Sequence, residues 1–269
     1  MSARVTRAAA LCAILLCGTA WAGGDPQRSF VACPIYRDTD QGRKSGCWLA
    51  DDPASGVRYD VGEGLTKPQE GYQVLVEGIV TQEPDVCGGV VLRPVRTAVL
   101  HEQKCPSAEF TAENYPGRRY VLPAEMMQQT WVPRPVPTPP FSTQRYVLLF
   151  DYGDDRLIYQ YAETVLERAA IYCKTSGARV TIRGYAATEP LQVSGQLLRE
   201  PLSLARDRAE MVGEALTRLG VARAAQRLQW QGSPVALDPL PTLGAPLPQS
   251  SLRRVEITVE PAAERGPAH

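Results

Sequence analysis

Residues 131–140 read Trp-Val-Pro-Arg-Pro-Val-Pro-Thr-Pro-Pro, and no helix or sheet ladder can run through them. Proline has no amide hydrogen to donate and fixes its own φ. Such a run is extended, semi-rigid polyproline II, reaching about 3 Å per residue. The chain is therefore expected to divide into an N-terminal domain at 23–122, a linker at 123–143 and a C-terminal domain at 144–261, with a frayed tail at 262–269. Glu125-Met126-Met127-Gln128-Gln129 is a candidate short helix just before the prolines. A spacer is the simplest role for the linker; a ligand for a proline-binding domain is the alternative.

The N-terminal part holds Cys33, Cys47, Cys87 and Cys105. In an oxidising compartment four cysteines read as two disulfides. A metal site would need close spacing such as Cys-x-x-Cys, which is absent. Three pairings are open. Cys33 with Cys47 and Cys87 with Cys105 are favoured, because each closes a local loop. Each bridge stabilises such a domain by roughly 2–4 kcal/mol.

The same part reads as all-β. Residues 73–80, Gln-Val-Leu-Val-Glu-Gly-Ile-Val, alternate, with a glycine that can mark a bulge. Residues 90–95 are a second apolar run, whose Pro94 predicts an edge or a strand end. Residues 47–50 and 57–61 are shorter candidates on either side of the turn signal Asp51-Asp52-Pro53-Ala54-Ser55-Gly56. About five short strands fit a small barrel, for which the OB fold is one candidate. Trp48, Tyr59 and Tyr72 form either a stacking platform or part of the core. The domain is either a binding module, for oligosaccharide or an envelope protein, or a rigid spacer.

The C-terminal part alternates elements. Residues 146–150 are a strand. A helix follows at about 155–174, with Leu157, Tyr161, Val165, Ala169 and Cys173 on one face. Cys173 is then a buried thiol, a redox or intermolecular role being the alternative. Residues 179–184 alternate as a strand. Ala205, Ala209, Val212, Leu216 and Leu219 recur at spacings of three and four, the stripe of an amphipathic helix that stops at Gly220. Leu228-Gln229-Trp230-Gln231-Gly232 is a short strand, 233–250 a proline-rich loop, and 253–259 the last strand. The class is α+β, with a mixed sheet and helices on one face.

Three pieces in this order resemble the OmpA-like C-terminal domain family, the peptidoglycan-binding module of Gram-negative envelopes. That family has a strand ending Gly-His-Thr-Asp, a helix carrying Leu-Ser-x-x-Arg-Ala-x-x-Val, and a last strand beginning Asn-Arg-Arg-Val-Glu-Ile. Here the helix reads Leu204-Ala205-Arg206-Asp207-Arg208-Ala209-Glu210-Met211-Val212 and the last strand Leu252-Arg253-Arg254-Val255-Glu256-Ile257. Leu149-Phe150-Asp151-Tyr152 looks like the family's opening strand. The resemblance covers about 144–260. It implies a non-covalent grip on the diaminopimelate stem peptide of peptidoglycan, with Arg208 holding a carboxylate in a two-pronged bond and Arg253 or Arg254 assisting. The family's Gly-His-Thr-Asp is replaced by Gly184-Tyr185-Ala186-Ala187. Ala187 cannot accept the ligand's ammonium as the family's aspartate does. Glu189, two residues on, is a candidate replacement. The loop at 188–203 is longer than is usual in the family, and its Leu191, Val193, Leu197 and Leu198 give it an apolar character.

The start of the chain has the marks of a secretory signal. Arg4 and Arg7 precede an apolar run at 8–17, and Ala20-Trp21-Ala22 is a small-x-small cleavage site. Cleavage is expected after Ala22. Lipidation needs a small residue before the cysteine, and Leu16 and Leu11 precede Cys17 and Cys12. No stretch is long and apolar enough for a transmembrane helix. The expected location is the periplasm, with outer-membrane association open.

Composition narrows the function. Lys plus Arg total 29 and Asp plus Glu total 29, which removes the electrostatic case for nucleic acid or an anionic membrane. The two histidines, His101 and His269, sit in no Ser/His/Asp or Cys/His arrangement. No Gly-rich loop follows a strand, and no cluster has metal-ligand spacing. A non-enzymatic envelope protein without cofactor or metal is expected. The expected function is non-covalent anchoring on peptidoglycan; the alternative, with Ala187 in the ligand position, is adapting between envelope proteins. In the second case Arg208 serves the fold and the 188–203 loop covers the groove or meets a partner.

Overall fold

A computed structural model describes residues 26–40, 46–118, 133–157, 159–232, 234–237 and 247–261. The expected signal, the helix at 125–129 and the tail lie outside them.

The N-terminal domain is all-β. Its strands are β1 (Gln27–Ala32), β2 (Pro34–Arg37), β3 (Cys47–Asp51), β4 (Arg58–Asp60), β5 (Tyr72–Val80), β6 (Val90–Lys104) and β7 (Ala108–Phe110). They form one sheet in the order β1-β5-β6-β4-β3-β2-β7. Only Cys33 separates β1 from β2, so a single bent strand pairs with β5 through its first half and with β3 through its second, which closes the sheet on itself, and β7 lies outside β2. Val74 and Val76 of the run 73–80 join Phe30, Tyr59, Val61 and Leu92 in the core, but Leu75 and Glu77 between them are buried too, so both faces of this strand are covered.

Pro94 departs from expectation. It lies inside the 15-residue β6, not at its end; β5 runs along one side, while β4 pairs on the other only at Val90 and Val91. The β5–β6 register slips between the pairs at Gly78 and Val80. Pro94 sits in that irregular stretch, where the ladder does not require an amide donor.

The cysteine pairing is also corrected. Cys47 bonds to Cys87, not to Cys33, and Cys87 does not bond to Cys105. Local loops mislead here because extended strands lie between the cysteines. Cys47 pairs with Arg37 at one end of β2, while Cys33 precedes the other end. All 15 residues of β6 lie between Cys87 and Cys105. Cys47 and Cys87 instead meet in a small core with Ile35 and Leu49. The three aromatics do not form one platform. Tyr59 is in the core, Trp48 meets Tyr36 edge-on, and Tyr72 meets His101.

The C-terminal domain runs β8 (Gln144–Leu149), α1 (Tyr159–Ser176), β9 (Arg179–Ala186), β10 (Leu191–Val193), β11 (Gln196–Leu198), α2 (Leu202–Arg218), β12 (Gln226–Gly232) and β13 (Arg254–Glu260). Its mixed sheet has the order β12-β9-β13-β8, with β12 parallel to β9 and the other pairs antiparallel. The stripe Ala209, Val212 and Leu216 packs with Leu166, Ala169 and Cys173 of α1 over Ile182, Val255 and Ile257. Cys173 is buried there, its thiol donating to the Ala178 carbonyl. Helix α2 presses closely on β9: a Cβ on Gly184 would stand 1.9 Å from the Ala205 carbonyl oxygen.

The 188–203 loop folds into the β10–β11 hairpin. Its tip is Ser194-Gly195, with φ of 48° and 78°. Two positive φ values suit a two-residue hairpin turn, whose twist matches the strands. The hairpin packs on the barrel. Val193 and Leu198 join Val31, Leu75, Ala98 and Leu100, and the Val31 amide donates to Ser194 Oγ at 3.0 Å. The β-sheet of residues 27–110 and the mixed-sheet unit of residues 144–260 therefore meet directly. No described helix is long and apolar enough to cross a membrane.

Candidate functional site: the Arg208 centre

Arg208 lies in the first turns of α2, on the edge of the stripe that packs against β9. It is 0% exposed. Every one of its N–H groups is used. Nε donates to the Asp154 carbonyl at 2.9 Å, Nη1 to the Tyr185 carbonyl at 2.9 Å and Nη2 to the Asp151 carbonyl at 3.1 Å. The two remaining N–H groups grip one carboxylate, Glu200: Nη2 to Oε1 at 2.7 Å and Nη1 to Oε2 at 2.9 Å. The Phe150 ring stands 5.2 Å from the guanidinium carbon.

Glu200 follows β11 and precedes α2. It is 1% exposed, and two backbone amides complete its shell. Gly153 N–H donates to Oε1 at 2.9 Å and Ala187 N–H to Oε2 at 2.8 Å. The Glu200 amide in turn donates to the Ala187 carbonyl. Burial alone would raise this carboxyl. The hydrogen bonds and charge of Arg208, with smaller help from Arg253 and Gly153, outweigh burial and hold it below its ordinary value. A buried carboxylate is tolerable only with such a full set of donors.

The same contacts correct the start of the first helix. It was expected at about 155 and begins at Tyr159. Arg208 binds the carbonyls of Asp151 and Asp154, and the Asp154 carboxylate binds Arg156. The segment is held as a loop around the guanidinium.

Of the residues singled out by sequence, Arg208, Tyr185 and Ala187 come together. Ala187 contributes through its backbone. Arg254 reaches the group indirectly. Its guanidinium stacks 4.4 Å from the Tyr185 ring and bonds Glu256. Arg253 turns to the barrel, where it is buried and pairs with Glu77 of β5. Glu189 stands apart, exposed, and takes part in none of these contacts. Glu200 is the residue that sequence reasoning missed. The only available signal was an acid eight residues before Arg208, in a loop already rich in apolar residues.

The centre continues into the barrel. The Asp151 carboxylate accepts from Arg96 of β6 at 2.7 Å and from the Thr66 hydroxyl. Together with the Arg253–Glu77 pair this makes two neighbouring ionic contacts across the seam, since Arg96 and Glu77 stand opposite each other in the β5–β6 ladder. A cleft of about 410 Å³ lies along the seam, lined in part by His101, Tyr152, Arg199 and Glu200. Tyr152 bridges its wall, donating to the Arg199 carbonyl and accepting from the Arg199 amide.

No family model matches the chain, and no curated protein does. Solved structures similar to part of it include the peptidoglycan-associated lipoprotein from Burkholderia pseudomallei, 24% identical over 43% of this chain and 90% of that one, with a TM-score of 0.34. A second is the OmpA-like domain of FopA1 from Francisella tularensis, 22% identical over 44% and 73%, TM-score 0.33. A third is the cell wall anchor of the T6SS from Pseudomonas aeruginosa, 19% identical over 45% and 82%, TM-score 0.33.

Proposed function

We propose that this is an exported, non-enzymatic cell-envelope protein that works as an adaptor, with its OmpA-like domain fused to a β-barrel and its arginine site closed from within. One observation carries the reading. Arg208 spends two donors on Glu200 and three on backbone carbonyls, and no part of it is exposed. A stem-peptide carboxylate would have to displace Glu200 and leave a buried carboxylate unpaired, at a cost of several kcal/mol. The missing ammonium partner at Ala187 supports the same reading. The sequence signal at 1–22 supports export, and Cys47–Cys87 fits an oxidising compartment. The ring order of the barrel, with β1 and β2 counted as one strand, supports an OB-like domain that meets a protein or oligosaccharide.

A second reading is anchoring to peptidoglycan through Arg208, Tyr185 and Ala187 after the Glu200 segment moves away, with outer-membrane association. It is supported by the retained arginine, set among carbonyls and amides that a bound carboxylate and ammonium would otherwise use. Co-sedimentation with diaminopimelate-type sacculi separates the two. The adaptor reading expects the protein to stay in the supernatant. Pelleting of the wild type that is lost in a folded Arg254→Ala variant would favour the anchor.

A further inference from the structure

The barrel holds a second cysteine pair. Cys33 sits at the bend between β1 and β2, one residue past Ala32, which pairs with Val74 of β5. Cys105 sits one residue past Lys104, which pairs with Tyr72 at the start of the same β5. The Cys105 amide donates to the Gly71 carbonyl at 3.1 Å. Beyond the cysteines the two chains run side by side as the parallel strands β2 and β7, with Ile35 opposite Ala108. The pair is thus pinned on both sides, by β5 before it and by the β2–β7 ladder after it. The two thiols are near enough for Cys33 to act on the ionisation of Cys105.

We infer that Cys33 and Cys105 form a second disulfide, which staples the bend of the first strand to the end of β6. The step is a two-electron oxidation. Both S–H bonds break, one Sγ–Sγ bond forms, and two protons and two electrons pass to the disulfide of an exported thiol oxidoreductase, which leaves as a dithiol. The exchange goes through a mixed disulfide on one cysteine, resolved by the other. Burial and the neighbouring Cys33 thiol push Cys105 up to about 12 in the reduced pair. As a thiol Cys105 is therefore a poor nucleophile, which suits a structural bridge better than a reactive dithiol. Both are partly exposed, so the oxidant has access. Cys173, buried in the other domain, has no such neighbour among the described cysteines.

The test is alkylation of the full exported chain, purified from an oxidising compartment and denatured without reductant, followed by peptide mapping. The expected result is alkylation of Cys173 alone, with the Cys33 and Cys105 peptides linked to each other and Cys47 linked to Cys87. In Cys33→Ser, Cys105 becomes alkylated and the Cys47–Cys87 link remains. Free Cys33 and Cys105 in the wild type overturn the inference. So does linkage of either one to Cys47 or Cys87, or a Cys105 that stays blocked in Cys33→Ser.

Discussion

Arg208 and Glu200 face each other through two parallel hydrogen bonds, 2.7 and 2.9 Å long, with both side chains out of solvent. The pair joins helix α2 to the hairpin that clasps the barrel, so one ionic contact links the helix, the sheet edge and the domain seam.

Arg208→Lys tests the fork. A lysine keeps the charge but has three donors on a single nitrogen and cannot satisfy carbonyls on several sides at once. A loss of about 2 kcal/mol or more is expected in denaturant unfolding, because at least one hydrogen bond to a charged group goes unmade. Glu189→Ala, at an exposed position outside the centre, is expected to change stability by no more than about 0.5 kcal/mol in the same assay.

Acid should weaken the centre. The Glu200 carboxyl is held below its ordinary value of 4.5, so the unfolded chain takes up this proton at higher pH than the folded one. The stabilisation is present above about pH 4.5 and is lost as pH falls through the lower folded value. Glu200→Gln removes this titration. Its stability should therefore fall less steeply below that pH than that of the wild type, as read by unfolding midpoints across an acid series.

The seam should open without loss of either fold when its apolar contact is charged. Val193 and Leu198 reach the barrel from the hairpin. A Val193→Asp, Leu198→Asp double variant buries two unpaired carboxylates if the domains stay docked. The expected result is an increase in the radius of gyration by small-angle X-ray scattering, with secondary structure retained by circular dichroism. An unchanged radius would mean that the ionic contacts alone hold the seam.

Gly184 is set by distance. Its missing Cβ leaves room for the Ala205 carbonyl, which a methyl would meet at 1.9 Å. Backbone has to move in Gly184→Ala, and a loss of about 1–3 kcal/mol or more is expected from overpacking. Thermal melting of the purified variant is the check.

The C-terminal elements were legible because their patterns are local. The spacing of Ala209, Val212 and Leu216 marks α2, and the alternation in 253–259 marks β13. The six residues chosen for the site were read through the resemblance, and three of them do converge. What local pattern could not supply is a partner chosen by folding. Glu200 is an ordinary loop acid until the Ser194-Gly195 turn brings the chain back under α2. Glu189 was the nearer acid in sequence to Ala187, and it points away. The cysteine pairing failed for the same reason: chain proximity was used as a proxy for spatial proximity, and extended strands carried neighbouring cysteines apart. Pro94 does not end its strand because a register slip accommodates it, and such a slip leaves no trace in composition.

The most direct measurement is a double-mutant cycle on unfolding free energy, with Arg208→Ala, Glu200→Ala and the pair together. Each single change leaves a buried charge without its partner and should cost about 3–5 kcal/mol. The double variant should cost little more than either single one, giving a coupling of about 2 kcal/mol or more. Additive losses, or a Glu200→Ala variant as stable as the wild type, would contradict a centre in which Arg208 is held by its own chain.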